Sequence, residues 1–121
     1  MTYEISQRFF FDAAHTLRRE IETEGSARVH GHTYCGEIAM TGAVDPETGM
    51  VVDLGQLRAL LEQVRLQLDH HLLDEVAGLG IPTLENLCAF IARFTAPSGV
   101  RLSRVSVWRD GIGDRCDLRL P

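Results

Sequence analysis

The stretch Phe9-Phe10-Phe11-Asp12-Ala13-Ala14-His15 sets the pattern for the first part of the chain. Successive side chains of a β-strand point to opposite faces, so the first and third phenylalanines project to one side and the second to the other. The alternation begins at residue 3, and the sequence therefore predicts a strand over residues 3–14 that ends at His15.

Working outward from this strand, the sequence predicts two helices and further strands. Asp53 and Thr83 each precede a leucine-rich segment with helical periodicity, which is typical of capped amphipathic helices. A polar stretch at 18–28 predicts a loop, because it is rich in Arg, Glu, Gly and Ser. The other predicted elements are a strand at 29–44, a turn at 45–49, a short strand at 50–52, a helix at 54–68, a loop at 69–82, a helix at 84–95, and strands at 100–108 and 115–120 joined by a turn at 110–114.

This order of elements predicts an α+β fold in a single domain over residues 1–121. Two helices would cover one face of a small, four-stranded antiparallel sheet. Such a sheet has two exposed edges, which proteins usually pair, cover or charge. Pairing of edges between subunits is therefore one expectation.

Composition narrows the class of protein. A net charge of −5 argues against a nucleic-acid-binding protein, which would carry a basic patch. The N-terminus lacks the pattern of a signal peptide, and no apolar stretch is long enough to cross a membrane. The chain has three cysteines, Cys35, Cys88 and Cys116, and this odd number without paired spacing argues against a disulfide framework. We therefore expect a cytoplasmic protein.

His30-Gly31-His32 is the sharpest chemical signal. Residues two apart on a strand share a face, so both imidazoles can reach one ion, and His15 could supply a third nitrogen. Neutral imidazoles suit zinc, and three protein ligands leave a fourth coordination position open, as in catalytic zinc sites. The alternative is that these histidines only form hydrogen bonds in a strand.

Asp69-His70-His71 follows the first long helix. A carboxylate beside an imidazole can orient the ring and raise its basicity, which prepares a proton-transfer group near neutral pH. The alternative is that Asp69 ends the helix and both histidines are solvated.

Several motifs occur in an order that resembles one known family. The chain is similar to the 6-pyruvoyl-/6-carboxy-tetrahydropterin synthase family from near residue 4 to near residue 110. The segments that carry this resemblance are Phe11–His15, His30–His32, Gly42–Leu54, Leu68–Leu73 and Pro82–Leu87.

The resemblance implies the tunnelling fold, in which subunits form trimeric barrels that stack as a homohexamer (a dimer of trimers). It also implies a Zn²⁺ ion held by His15, His30 and His32, and a lyase acting on 7,8-dihydroneopterin triphosphate, a small-molecule pterin. Asp69 and His70 would assist proton transfer. Thr83 and Glu85, in one of the matched motifs, are expected at the substrate pocket.

The chain departs from the family pattern at two positions. The base cysteine of the family corresponds to Ser26, and a hydroxyl is a far weaker base than a thiolate. Glu24, in the same loop, is the substitute base that we expect. The glutamate with which the family anchors the pterin corresponds to Arg109, which leaves the adjacent Asp110 as the candidate anchor.

Three functions remain open from the sequence. The first is a synthase, with the 6-carboxy branch and queuosine precursor biosynthesis favoured by analogy. The second is an aldolase-like cleavage of the side chain of a related pterin. The third is a zinc- and pterin-binding protein without turnover, because retained metal ligands with a missing base are what such a protein would show.

Overall fold

The structure is a computed structural model that describes all 121 residues of the chain. Four antiparallel strands form one sheet in the order β1-β2-β3-β4. The elements are β1 (Tyr3–His15), α1 (Thr23–Ala27), β2 (His30–Gly42), α2 (Leu54–Leu68), α3 (Leu84–Thr95), β3 (Arg104–Arg109) and β4 (Asp114–Arg119), with single 3₁₀ turns at Leu73–Glu75 and Ala96–Ser98.

The long hairpin of β1 and β2 is the part of the fold that positions the site. Its register pairs Phe11 with Tyr34 and His15 with His30. Phe11 is buried under the helices, whereas Phe10 is 67% exposed, so the predicted alternation is confirmed. The helix-covered face of this hairpin therefore runs from aromatic core residues at its middle to histidines at its end.

The two long helices pack on one face of the sheet, α2 against β1 and α3 against β3 and β4. Both predicted caps are confirmed, because Asp53 accepts a hydrogen bond from the Gly55 amide and Thr83 accepts one from the Asn86 amide. The buried residues of the helices are Leu57, Leu60, Leu61, Val64 and Leu68 in α2, and Leu87, Cys88, Phe90, Ile91 and Thr95 in α3. Burial of these apolar side chains is the main force that holds the helices on the sheet.

Four predicted boundaries or elements need correction. The loop at 18–28 contains the short helix α1, and the second strand is two residues shorter at its C-terminal end than the predicted 29–44. Residues 50–52 do not form a strand, because the only bridge there joins Met50 to Asp45 across a turn. The third strand begins at Arg104 rather than residue 100, since only from there does the chain pair with both β2 and β4.

No helix combines the length and apolar character that crossing a membrane requires.

Candidate metal centre and active-site cleft

Three histidines converge where β1 ends and β2 begins. His15 and His30 are cross-strand partners, and His32 lies two residues further along β2 on the same face. The Nε2 atom of His15 lies 2.9 Å from that of His30 and 3.1 Å from that of His32. The strand register alone brings the three nitrogens together, and they form a group that could hold a metal ion.

Contacts on the far sides of two rings explain why these nitrogens suit a cation. His15 Nδ1 donates to the Pro82 carbonyl oxygen at 3.0 Å, and His30 Nδ1 donates to the Arg28 carbonyl oxygen at 2.8 Å. A neutral imidazole that donates through Nδ1 has its lone pair on Nε2, so two lone pairs face each other at 2.9 Å. A tetrahedral zinc ion would hold such nitrogens roughly 3.3 Å apart, and backbone carbonyls are common outer partners of zinc-bound histidines.

The surroundings keep two of these rings neutral. Burial lowers the pKa of His15, although its hydrogen bond to Pro82 acts in the opposite direction. Burial, and after it the positive charge of Arg109, lowers the pKa of His32 to about 4. Deprotonated imidazole is the form that binds metal, so both residues are ready as ligands at neutral pH.

A cleft of about 860 Å³ opens beside His15 and is large enough for a small organic molecule. Thr83 and Glu85, at the N-terminal end of α3, line this cleft, and their role in binding the substrate stays a prediction. Tyr34 also lines it, and its hydroxyl lies 3.3 Å from His15 Nδ1. Burial raises the pKa of Tyr34 to about 12, so it is a neutral hydrogen-bonding group at neutral pH.

Arg109 is the charged residue that reaches the three histidines. Its Nη1 lies 3.2 Å from His32 Nε2, and its Nη2 pairs with Asp114 at 2.5 Å. The side chain is 11% exposed, and its guanidinium lies 5.8 Å from the centre of the Tyr34 ring. Arg109 therefore brings a positive charge to the lining of the cleft.

Ser26 lies near the metal centre, whereas Glu24 points to solvent. Ser26 is buried in α1 and lines a small depression together with His30 and His32. Its hydroxyl donates to the Thr23 carbonyl oxygen at 3.1 Å. The side chain of Glu24 is 93% exposed, with one loose ion pair to Arg28 at 3.9 Å. The role of Glu24 as a base stays a prediction.

Asp69 and His70 form a hydrogen-bonded pair at the outer edge of β1, where segment 70–72 runs along the strand. Asp69 Oδ2 lies 2.9 Å from His70 Nδ1, and Asp69 Oδ1 accepts from the Asp12 amide at 2.9 Å. The hydrogen bond that Asp69 accepts from the Asp12 backbone amide lowers the pKa of Asp69, and the hydrogen bond with His70 acts in the same direction. The His70 side chain is 80% exposed, and a shallow depression at this edge contains both His70 and His32.

Asp110 and Cys35 lie together on the face of the sheet that the helices leave open. Asp110 Oδ2 is 3.9 Å from the Cys35 sulfur, in a depression that also contains Trp108. Burial, followed by the charge of Asp110, raises the pKa of Cys35, which disfavours the thiolate. The prediction that Cys35 faces away from the three histidines is confirmed, and the role of Asp110 as a pterin anchor stays a prediction.

Arg109 is a cleft residue that the sequence patterns above did not place beside the histidines. Its side chain shares a face with Val105 and Val107, which are fully buried under the helices. Strand alternation from these two valines would have placed it on the side of the histidines. Tyr34 could have been found in the same way, because it is two residues beyond His32 on β2.

Comparison with known proteins identifies the family of this chain. The family model described as 6-pyruvoyl tetrahydropterin synthase matches residues 4–119. The chain belongs to this family. It is 33% identical over 111 residues to a dihydroneopterin monophosphate aldolase from Pyrococcus furiosus, covering 89% of this chain and 90% of that protein. It is 36% identical over 102 residues to the 6-carboxy-5,6,7,8-tetrahydropterin synthase of a Synechocystis species, covering 79% and 77%.

Solved structures give the same result for the fold. The 6-pyruvoyl tetrahydropterin synthase of Caenorhabditis elegans superposes with a TM-score of 0.82 at 22% identity, covering 100% of this chain and 97% of that one. The fold is thus the tunnelling fold of the tetrahydropterin synthase family. The family consists of lyases that act on pterins, and the chain is an enzyme of this synthase type.

Proposed function

We propose that this protein is a zinc-dependent lyase whose substrate is a phosphorylated 7,8-dihydroneopterin, either the triphosphate or the monophosphate. The observation that carries the proposal is the convergence of three histidine nitrogens beside a cleft of about 860 Å³. The Nε2 atom of His15 lies 2.9 Å from that of His30 and 3.1 Å from that of His32. Zinc at His15, His30 and His32 would act as a Lewis acid toward the hydroxyl groups of the substrate side chain.

The residues of the chain would divide the remaining work. Thr83 and Glu85 would hold the pterin in the cleft, whereas Asp110 lies on the open face of the sheet and does not line it. Asp69 would keep the His70 ring oriented, so that His70 can take or return a proton near neutral pH. Glu24 is the candidate general base, on helix α1, which would have to move so that this side chain reaches the cleft.

The first candidate reaction is that of a 6-carboxy-tetrahydropterin synthase, as in queuosine precursor biosynthesis. The similarity to the Synechocystis enzyme supports it. The second candidate is an aldolase reaction on the side chain of dihydroneopterin monophosphate. It is supported by the similarity to the Pyrococcus aldolase and by Ser26 at the position of the family cysteine.

We propose further that the active unit is a homohexamer built from two trimeric barrels. Segment 70–72 runs along only the last part of the β1 edge, through hydrogen bonds to Asp12 and Ala14, so most of this edge is free to pair. The exposed pair of Asp69 and His70 at that edge would then lie at a subunit boundary. The molar mass in solution, measured by light scattering, tests the assembly.

Incubation with both substrates distinguishes the candidate reactions. Purified zinc-loaded protein is mixed with 7,8-dihydroneopterin triphosphate or with the monophosphate, and products are followed by mass spectrometry. A 6-carboxy- or 6-pyruvoyl-tetrahydropterin product supports the synthase, and a product that has lost its phosphorylated side-chain fragment supports the aldolase. If both substrates bind and remain unchanged, the lyase proposal is wrong and a binding protein remains.

Ser26→Cys tests whether the missing thiol decides between the two reactions. Ser26 is buried beside His30 and His32, so a cysteine introduced there starts near the metal centre. We expect synthase turnover to rise by about 10²- to 10⁴-fold, the usual contribution of a positioned general base. Cys35→Ser is the matched control and should leave turnover unchanged. An unchanged rate in Ser26→Cys would mean that the thiol is not the missing component.

A further inference from the structure

Arg109 brings a positive charge into the three-histidine cluster, and its hydrogen bonding is incomplete. Nη1 approaches His32 Nε2 at 3.2 Å, and Nη2 donates to Asp114. Nε is buried and contacts no acceptor. Buried donors in native proteins are nearly always paired, so an unpaired nitrogen in a largely buried guanidinium indicates a missing partner.

A metal ion would increase this deficit. His32 Nε2 has one lone pair, which can serve either the guanidinium or a metal ion but not both. With a metal ion at the three histidines, Nη1 would lose the His32 acceptor as well, and the neutral Tyr34 hydroxyl beside the Arg109 side chain would supply no negative charge. A guanidinium beside a divalent cation is also repelled by it, so the pair needs a negative charge nearby.

The carboxylates of the chain that line the cleft do not remove this deficit. Asp114 already holds Nη2, and both oxygens of Asp74 accept from Thr16. Glu85 lines the cleft from the end of α3, but its side chain is exposed. Two more arginines, Arg18 and Arg19, line the same cleft and add positive charge to it.

We propose that Arg109 binds an oxyanion of the ligand, a phosphate or a carboxylate group, so that the metal ion and this anion bind cooperatively. Free N–H groups of a guanidinium form charge-assisted hydrogen bonds with either of these two anionic groups, and such bonds are stronger than those to a neutral hydroxyl. The inference rests on the proposed metal centre and deepens the proposed function: it assigns the end of the cleft nearest His32 to the anionic group of the substrate.

The test measures the coupling between metal and anion without turnover. Co²⁺ binding is titrated by its visible absorption, alone and with inorganic phosphate, acetate or neutral ethylene glycol. For the wild-type protein we expect phosphate or acetate to tighten Co²⁺ binding by about 5- to 20-fold, within the usual range of coupling between sites. Ethylene glycol should have no effect. The stronger of the two anions shows which oxyanion the site prefers.

Variants of Arg109 make the test specific. Arg109→Gln should bind Co²⁺ more tightly than the wild type when no anion is present, because the competitor for His32 is gone, and should lose the anion effect. Arg109→Lys should keep part of it. Arg115→Gln is the matched control, since Arg115 stacks on Trp108 at 4.6 Å and pairs with Asp117. Circular dichroism verifies that each variant is folded.

Two results would overturn the inference, and they differ in what else they overturn. Equal anion coupling in the wild type and in both Arg109 variants, with Co²⁺ bound in all, would remove the role of Arg109 and leave the proposed function standing. Failure of the folded wild-type protein to bind Co²⁺ or Zn²⁺ would overturn the inference and the proposed function together.

Discussion

The two faces of the sheet differ in how completely their buried charged side chains are paired. On the open face, Glu37 accepts from Arg8 at 3.0 Å and from Arg104 at 2.7 Å, and Arg104 also pairs with Glu4. On the helix-covered face, Arg109 lies against neutral histidines with one nitrogen unpaired. The charges of Glu37, Arg104 and Glu4 on the open face are thus paired within the chain, whereas Arg109 on the covered face keeps one nitrogen without a partner.

This difference separates a structural network from a binding site. Buried polar groups that are fully paired contribute to the specificity and rigidity of a fold. Groups left without partners lower stability and are retained where a ligand completes them. We therefore expect changes on the open face to affect the free energy of unfolding, and changes among the histidines to affect binding.

The largest expected effect is the loss of metal from the histidine cluster. His32→Ala removes one of three ligand nitrogens, and we expect the affinity for Zn²⁺ to fall by more than about 100-fold, the upper range for changes to outer partners alone. Competition with a chromophoric chelator measures this affinity. His71→Ala is the matched control, because His71 is exposed and hydrogen bonds the Asp69 carbonyl oxygen. If His32→Ala still bound one zinc ion per chain as tightly as the wild type does, His32 would not be a metal ligand.

The next effect is confined to turnover and is expected at the edge of β1. His70 has a left-handed backbone conformation with φ 58°, which asparagine tolerates better than most residues. His70→Asn should therefore keep the loop and remove the imidazole. We expect kcat to fall by about 10²- to 10⁴-fold with unchanged zinc content.

If His70→Asn turned over its substrate at the wild-type rate, the pair of Asp69 and His70 would have no part in catalysis. His71→Asn serves as the control for the loss of an imidazole from the same segment, and its rate should match that of the wild type.

The smallest effect is expected on the open face and appears only in stability. Glu37→Gln leaves Arg104 without its best-buried partner, and we expect the free energy of unfolding to fall by about 1–3 kcal/mol, measured with urea. The affinity for zinc should not change. A loss of zinc affinity equal to that of His32→Ala would break the distinction between the two faces.

The pH dependence of this effect has a definite sign. Burial raises the pKa of Glu37, but hydrogen bonds from Arg104 and Arg8 outweigh it, so the pKa lies below its ordinary value of 4.5. The ionised carboxylate therefore stabilises the folded state above pH 4.5, and this contribution is lost as the pH falls through the lowered pKa. The stability difference between wild type and Glu37→Gln should shrink accordingly in acid.

Sequence patterns predicted the elements better than their ends. The α2 helix and its cap at Asp53 were predicted correctly, because periodicity and capping are local properties. The prediction of a strand at 50–52 was wrong. A strand needs a second strand to pair with, and the local sequence does not show whether one lies beside it. The short helix α1 was missed because five residues carry too little periodicity.

The fold class, the family and the grouping of the three histidines could be predicted from the sequence, because strand alternation and ordered motifs involve neighbouring residues. Three other features became visible only in the folded chain: the contact of Arg109 with His32, the position of Cys35 and Asp110 on the open face, and the position of Asp69 and His70 at the edge of β1. These relations join residues up to 77 positions apart, and they depend on strand register and packing, which no local pattern encodes.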